Sequence, residues 1–120
     1  MNLAALAAAI ITVESGGNDL AIGDGGRSVG AYQISRGVVA DVNRIHGTRF
    51  TWTGMTNREH AGTVFQLYVS AYCTESRLGH PPTEQDVARI WNAGPLGHRR
   101  KSAIPYWKKV KREIQNRRDR

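Results

Sequence analysis

The chain has 120 residues, 40% of them hydrophobic and 22% charged, a globular composition that excludes a disordered or collagen-like chain. Lys and Arg total 17 against 10 Asp and Glu, a formal charge of +7, so the expected partner is a polyanion or a negatively charged surface: nucleic acid, anionic lipid or cell-wall polymer. One cysteine, Cys73, excludes an internal disulfide framework and a multi-cysteine zinc site, and no apolar run approaches the roughly 18 residues that cross a bilayer.

In chain order, residues 3–14 combine strong helix formers with a helical apolar period at Leu3, Leu6, Ala7, Ile10 and Ile11. The stretch has the length of a signal-peptide core, but it lacks a basic start and a cleavage site, and it reads as a helix of the mature chain. Gly16 and Gly17 stop it. Residues 15–30 hold six glycines with Asn18, Asp19 and Asp24, which predicts a structured loop with a turn or small hairpin around Asp24-Gly25. A second helix is expected over 35–46. Thr56…Glu59 and Thr83…Asp86 read as capping boxes, the first opening a helix to about residue 78 and the second one over 84–92. A last helix spans 104–116 with Trp107, Val110 and Ile114 on its inner face. The expectation is an all-α single domain of about five helices over 1–116, a small hairpin within 18–34, and a fraying basic tail at 117–120.

Glu14 is the most informative residue. It follows Ile11, Ile10, Ala7 and Leu3 at helical spacing, so it falls on the apolar face. A carboxyl partly removed from water prefers its neutral form, which is what a general acid needs. The bland alternative is a glutamate that curls into solvent at a helix end.

Three blocks then occur in order: Glu14-Ser15-Gly16-Gly17-Asn18, Gly30-Ala31-Tyr32-Gln33-Ile34 and Trp91-Asn92-Ala93-Gly94-Pro95. Together they resemble the catalytic core of the soluble lytic transglycosylase and goose-type lysozyme superfamily, over about residues 5–112. The resemblance implies a lysozyme-like fold and cleavage of peptidoglycan between N-acetylmuramic acid and N-acetylglucosamine. Glu14 matches the acid that protonates the glycosidic oxygen. Gln33 matches a residue lining the cleft, Tyr32 stands where the family often has Met, and Asn92 matches the asparagine near the sugar groove. Trp91 replaces the usual Tyr. The implied cleft lies between the first helix, the 15–34 region and the 91–95 turn.

Asp24 is the second carboxylate of interest. Glycosidases commonly pair an acid with a second carboxylate acting as nucleophile or base. Invertebrate-type lysozymes carry an Asp shortly before a comparable segment, whereas lytic transglycosylases rely on the substrate's acetamido oxygen. Both routes stay open on the sequence, as does an ordinary Asp-Gly turn. Asp19 is a weaker candidate for the same role, and Ser28 is a candidate hydrogen-bond partner of Glu14.

No phosphate-loop motif is present, and His46, His60, His80 and His98 show no metal-ligand spacing, so neither metal nor organic cofactor is expected. Arg99-Arg100-Lys101, Lys108, Lys109, Lys111, Arg112, Arg117 and Arg118 concentrate charge in the last quarter, a candidate surface for anionic wall polymer. A monomer made in the cytoplasm and acting at the cell wall, as a phage lysin or virion component does, fits this reading. Two rival readings are a small basic nucleic-acid-binding module and a catalytically dead wall-binding domain.

Overall fold

The computed structural model describes all 120 residues. It is all-α with one small hairpin: α1 (Leu3–Ser15), β1 (Ile22–Gly23), β2 (Ser28–Val29), α2 (Arg36–His46), α3 (Arg58–Tyr72), α4 (Glu75–Leu78), α5 (Glu84–Ala93) and α6 (Ile104–Arg118), with four short 3-10 turns. The chain divides into two compact units, one of residues 14–71 and one of residues 1–13 with 72–120.

In the 14–71 unit the hairpin forms where the glycine-rich loop predicts it. β1 and β2 pair antiparallel, Ile22 opposite Val29 and Gly23 opposite Ser28. The tip residues Asp24 and Gly25 both adopt positive φ, +51° and +64°. Asp tolerates this left-handed conformation better than most residues, and Gly adopts it freely. β2 continues into a tight turn closed by paired backbone hydrogen bonds between Val29 and Ile34 (3.1 and 2.9 Å). At the start of that turn Gly30 has φ +85°, and a Cβ there would lie 2.1 Å from the Met55 carbonyl oxygen, so only glycine fits. Ser35 caps α2 by accepting from the Val38 amide, and Gly47 ends it at φ +66°. Val39, Val42, Met55, Ala61, Val64, Phe65 and Tyr68 fill this unit's core.

α3 departs from expectation at both ends. Its cap is Asn57 rather than Thr56: the Asn57 Oδ1 accepts from the His60 amide at 3.0 Å, while the Thr56 hydroxyl donates to the Thr53 carbonyl inside a 3-10 turn. Asn is the stronger N-cap of the two. The helix expected to reach residue 78 stops at Tyr72, and α4 starts afresh after Thr74, whose side chain accepts from the Arg77 amide. The break is stable because the Arg77 Nη1 turns back onto the Tyr72 carbonyl at 2.7 Å, covering a helix-end acceptor.

In the other unit Leu6, Ala9 and Ile10 of α1, Val87, Ala88, Ile90 and Trp91 of α5, and Val110 and Ile114 of α6 are buried. The Thr83–Asp86 capping box forms in full. The tail expected to fray is helical through Arg118, where Glu113 lies 3.6 Å from both Arg117 and Arg120.

The Gly30 geometry yields a stability contrast. Gly30→Ala, which combines left-handed strain with a backbone clash, is expected to lower unfolding stability by about 3 kcal/mol in urea titration. Gly16→Ala, at φ +64° with open space around it, is expected to lose only about 1 kcal/mol.

Candidate active site

Glu14 is the penultimate residue of α1, four positions after the fully buried Ile10, and it is half-buried. Val13 and Ser15 on either side of it are half-buried as well. The next residue links the helix end to the second motif: the Ser15 Oγ donates to the Ala31 carbonyl at 2.8 Å across 16 positions. The same oxygen accepts from the Gly17 amide at 3.2 Å, which curls the chain out of the helix. Beyond it, Asn18 Oδ1 accepts from the Leu20 amide at 2.9 Å, a local turn.

Arg58, at the start of α3, holds this loop from outside. Its Nη2 donates to the Gly17 carbonyl at 2.7 Å and its Nε to the Asp19 carboxylate at 2.5 Å. Asp19 is thus committed to a structural ion pair. No local sequence pattern identifies Arg58, because its partners lie 39 and 41 positions away.

Gln33 sits at φ +54°, and its side chain folds under the hairpin. The Nε2 donates to the carbonyls of Ala21 (3.1 Å) and Gly30 (3.0 Å), while Oε1 lies only 2.1 Å from where a Gly23 Cβ would stand. It fixes the hairpin to the Gly30–Ile34 turn. Tyr32 is 6% exposed, with its ring 5.2 Å from that of Phe65 and its hydroxyl over Gly62. It is a core residue rather than an open cleft wall. Burial pushes its hydroxyl up from the ordinary range, with the Arg58 guanidinium opposing, so the phenol stays protonated. Ser28 stands opposite Gly23 in the hairpin.

Asp24 occupies the hairpin tip. Its carboxylate is 66% exposed and lies 3.4 Å from the Arg27 Nη2. Arg27 is anchored in turn by its Nε on the Asp24 carbonyl at 3.0 Å.

Asn92 belongs to the other unit, exposed one residue before the end of α5. The following turn is fixed by the Gly94 amide on Ile90 O (2.8 Å), the Gly97 amide on Gly94 O (2.7 Å) and the Arg77 Nη2 on Pro95 O (3.1 Å). Gly97 is packed against the Arg89 carbonyl, 2.0 Å from where its Cβ would be. Trp91 is buried, in keeping with core packing. Burial, then the Arg99 and Arg77 guanidinium groups, push His98 below its usual value, with Asp86 opposing. No group of three or more His, Cys, Asp or Glu side chains is placed to hold a metal ion.

Four of the residues singled out from the sequence, Glu14, Ser28, Tyr32 and Gln33, thus fall in the 14–71 unit with Asp24 at its hairpin tip, and Asn92 lies in the other unit. The chain matches no protein-family model and no curated protein sequence.

Cys73 is buried, and burial, reinforced by Asp86 and opposed by Arg77, pushes its thiol up to about 12. The native thiol is expected to resist a thiolate-selective reagent at pH 8 and to react promptly on unfolding. Because the unfolded thiol ionises near pH 8.5, the folded state loses stability as pH rises from there towards 12. Thermal melts should show that alkaline decline, and Cys73→Ala should flatten it.

Proposed function

We propose that the chain is a muramidase that cleaves the β-1,4 bond between N-acetylmuramic acid and N-acetylglucosamine in peptidoglycan, with Glu14 as the general acid. The observation that carries this reading is the Ser15–Ala31 hydrogen bond, which ties the helix end bearing a half-buried glutamate to the Gly30–Ile34 turn bearing Gln33. These are two of the three motifs that carry the resemblance to lytic transglycosylases and goose-type lysozymes; the third, Trp91–Pro95, belongs to the other unit.

The chemistry follows from the environment of Glu14. General acid catalysis needs the neutral carboxyl, and this reading assigns that part to Glu14 at the half-buried end of α1. That acid gives its proton to the glycosidic oxygen as the bond to the anomeric carbon breaks, and positive charge develops on the sugar. A nucleophile must then capture the anomeric carbon. The exposure of Asp24 and its pairing with Arg27 at the hairpin tip favour the route in which the substrate's acetamido oxygen does so. The resulting carboxylate of Glu14 then takes the proton of the sugar's 6-hydroxyl as that oxygen displaces the acetamido group, leaving a 1,6-anhydro end. Arg58 and Gln33 hold the loop and hairpin rigid around the acid.

The cations of α6 fit the same substrate. Lys108, Lys109, Lys111 and Arg112 are exposed, and the only ion pairs on this helix are those of Arg117 and Arg120 with Glu113. An anionic wall polymer is the proposed partner of this face, and action at the cell wall is the proposed setting.

Three outcomes are expected. Purified peptidoglycan incubated with the chain should release soluble muropeptides, and mass spectrometry should find mainly anhydro ends, lighter than hydrolysed ends by one water. Glu14→Gln should reduce release by about two orders of magnitude or more with the fold intact, while Asp24→Asn keeps most of it. Mainly hydrolysed products with an inactive Asp24→Asn would instead assign Asp24 the second role. Neutralising Lys108, Lys109, Lys111 and Arg112 should weaken sedimentation with whole walls at about 0.15 M salt, and leave cleavage of short uncharged oligosaccharides unchanged. Tighter binding to duplex DNA than to walls at equal salt would favour a nucleic-acid-binding module.

A further inference from the structure

Beside the hairpin tip lies a cavity of about 300 Å³ that the cleavage chemistry does not use. It is lined by Gly26, Arg27, Ser35, Arg36 and Gly37, all within the 14–71 unit. Two of its five residues are arginines, and the two glycines contribute no side-chain bulk. Asp24 holds Arg27 and Trp52 holds Arg36. The Arg27 Nε is fixed on the Asp24 carbonyl, and its Nη2 lies at a long 3.4 Å from the Asp24 carboxylate. The Arg36 guanidinium stacks on the Trp52 ring, 4.1 Å from its centroid, and Trp52 is itself fixed by its Nε1 on the Ile34 carbonyl at 2.9 Å. Stacking occupies the flat face of a guanidinium and leaves its in-plane N–H donors directed outward. No carboxylate pairs with Arg36, and none lines the cavity; the nearest partner of its two cations is Asp24, on Arg27.

We infer that this cavity is a carboxylate subsite that receives an acidic group of the peptide carried by the muramic acid sugar. The inference rests on the muramidase reading and deepens it, because it names what makes the substrate more than a neutral β-1,4 glycan. Planar guanidinium forks match the geometry of a carboxylate and pair with it in bidentate fashion. The site stands on the hairpin that Gln33 pins to the Gly30–Ile34 turn, so a bound carboxylate is registered against the same frame as Glu14. Asp24 competes for Arg27, and its removal frees that guanidinium for the ligand.

The test uses the full chain, isotopically labelled, and nuclear magnetic resonance titration with two probes. One is the N-acetylglucosaminyl–N-acetylmuramyl tripeptide with free carboxylates, the other the same compound with its carboxylates amidated. The free acid is expected to shift the amides of Gly26, Arg27 and Gly37 and to bind about tenfold more tightly, a difference of about 1.4 kcal/mol. Arg27→Ala combined with Arg36→Ala should abolish that preference, and Asp24→Asn should increase it. Equal affinities for the two probes in the wild-type chain, shifts confined to other residues, or no binding of either would overturn the subsite. The muramidase reading is judged separately by muropeptide release: cleavage without carboxylate preference leaves that reading standing and removes the subsite. Carboxylate preference without cleavage does the reverse.

Discussion

The Ser15 hydroxyl bonded to the Ala31 carbonyl is the contact on which the candidate site depends. A helix end is ordinarily the least determined part of a helix, since its last carbonyls lack intrahelical partners and its residues fray. Here the last residue of α1 spends its side chain on a carbonyl of a distant turn. Glu14, one position earlier, is thereby held at a fixed place relative to Gln33 and the hairpin. General acid catalysis has that requirement, because a proton donor misplaced by about an ångström loses much of its effect.

The surroundings of that contact are built from backbone acceptors rather than from a large apolar core. The carbonyls of Gly17, Ala21, Gly30, Ala31 and Ile34 each accept a hydrogen bond from a side chain: Arg58, Gln33, Gln33 again, Ser15 and Trp52. This is how a loop rich in glycine, which loses more chain entropy on ordering than any other composition, becomes a defined surface. It also explains the two absences of bulk: Gly30 passes under the Met55 carbonyl, and Gly23 lies on the Gln33 amide. The charge on this surface is distributed unevenly. Asp19 is paired with Arg58 and Asp24 with Arg27, whereas Arg36 stacks on Trp52.

Much of the fold was legible in the sequence because its helices carry local signals. The Ser35 cap of α2, the Thr83–Asp86 box of α5 and the apolar spacing of Val110 and Ile114 on α6 are each determined within one or two turns. The half-burial of Glu14 was legible for the same reason, from its spacing to Ile10. The misread positions are those where two local signals compete. Asn57 outranks Thr56 as a cap, and Thr74 restarts a helix that the apolar pattern would have continued, with the Arg77 side chain making the interruption inexpensive. Tyr32 belongs to the core because the neighbouring Phe65 and Gly62 of α3 offer its ring a flat apolar seat, a pairing 30 or more positions away that no local pattern encodes. The Arg58 clasp on Gly17 and Asp19 was illegible for the same reason. Ser15 belongs to the first motif, but nothing in that motif indicates which acceptor its hydroxyl reaches.

The most direct test of this account is the rate of muropeptide release by Ser15→Ala beside that of Ser15→Thr. The alanine variant loses the link between the helix end and the Gly30–Ile34 turn while Glu14 and the core are unchanged. The account expects its release rate to fall about tenfold or more, with a melting temperature close to that of the parent chain, and the threonine variant, which keeps the hydroxyl, to recover most of the rate. Full activity in Ser15→Ala would contradict the claim that this hydrogen bond positions the catalytic acid.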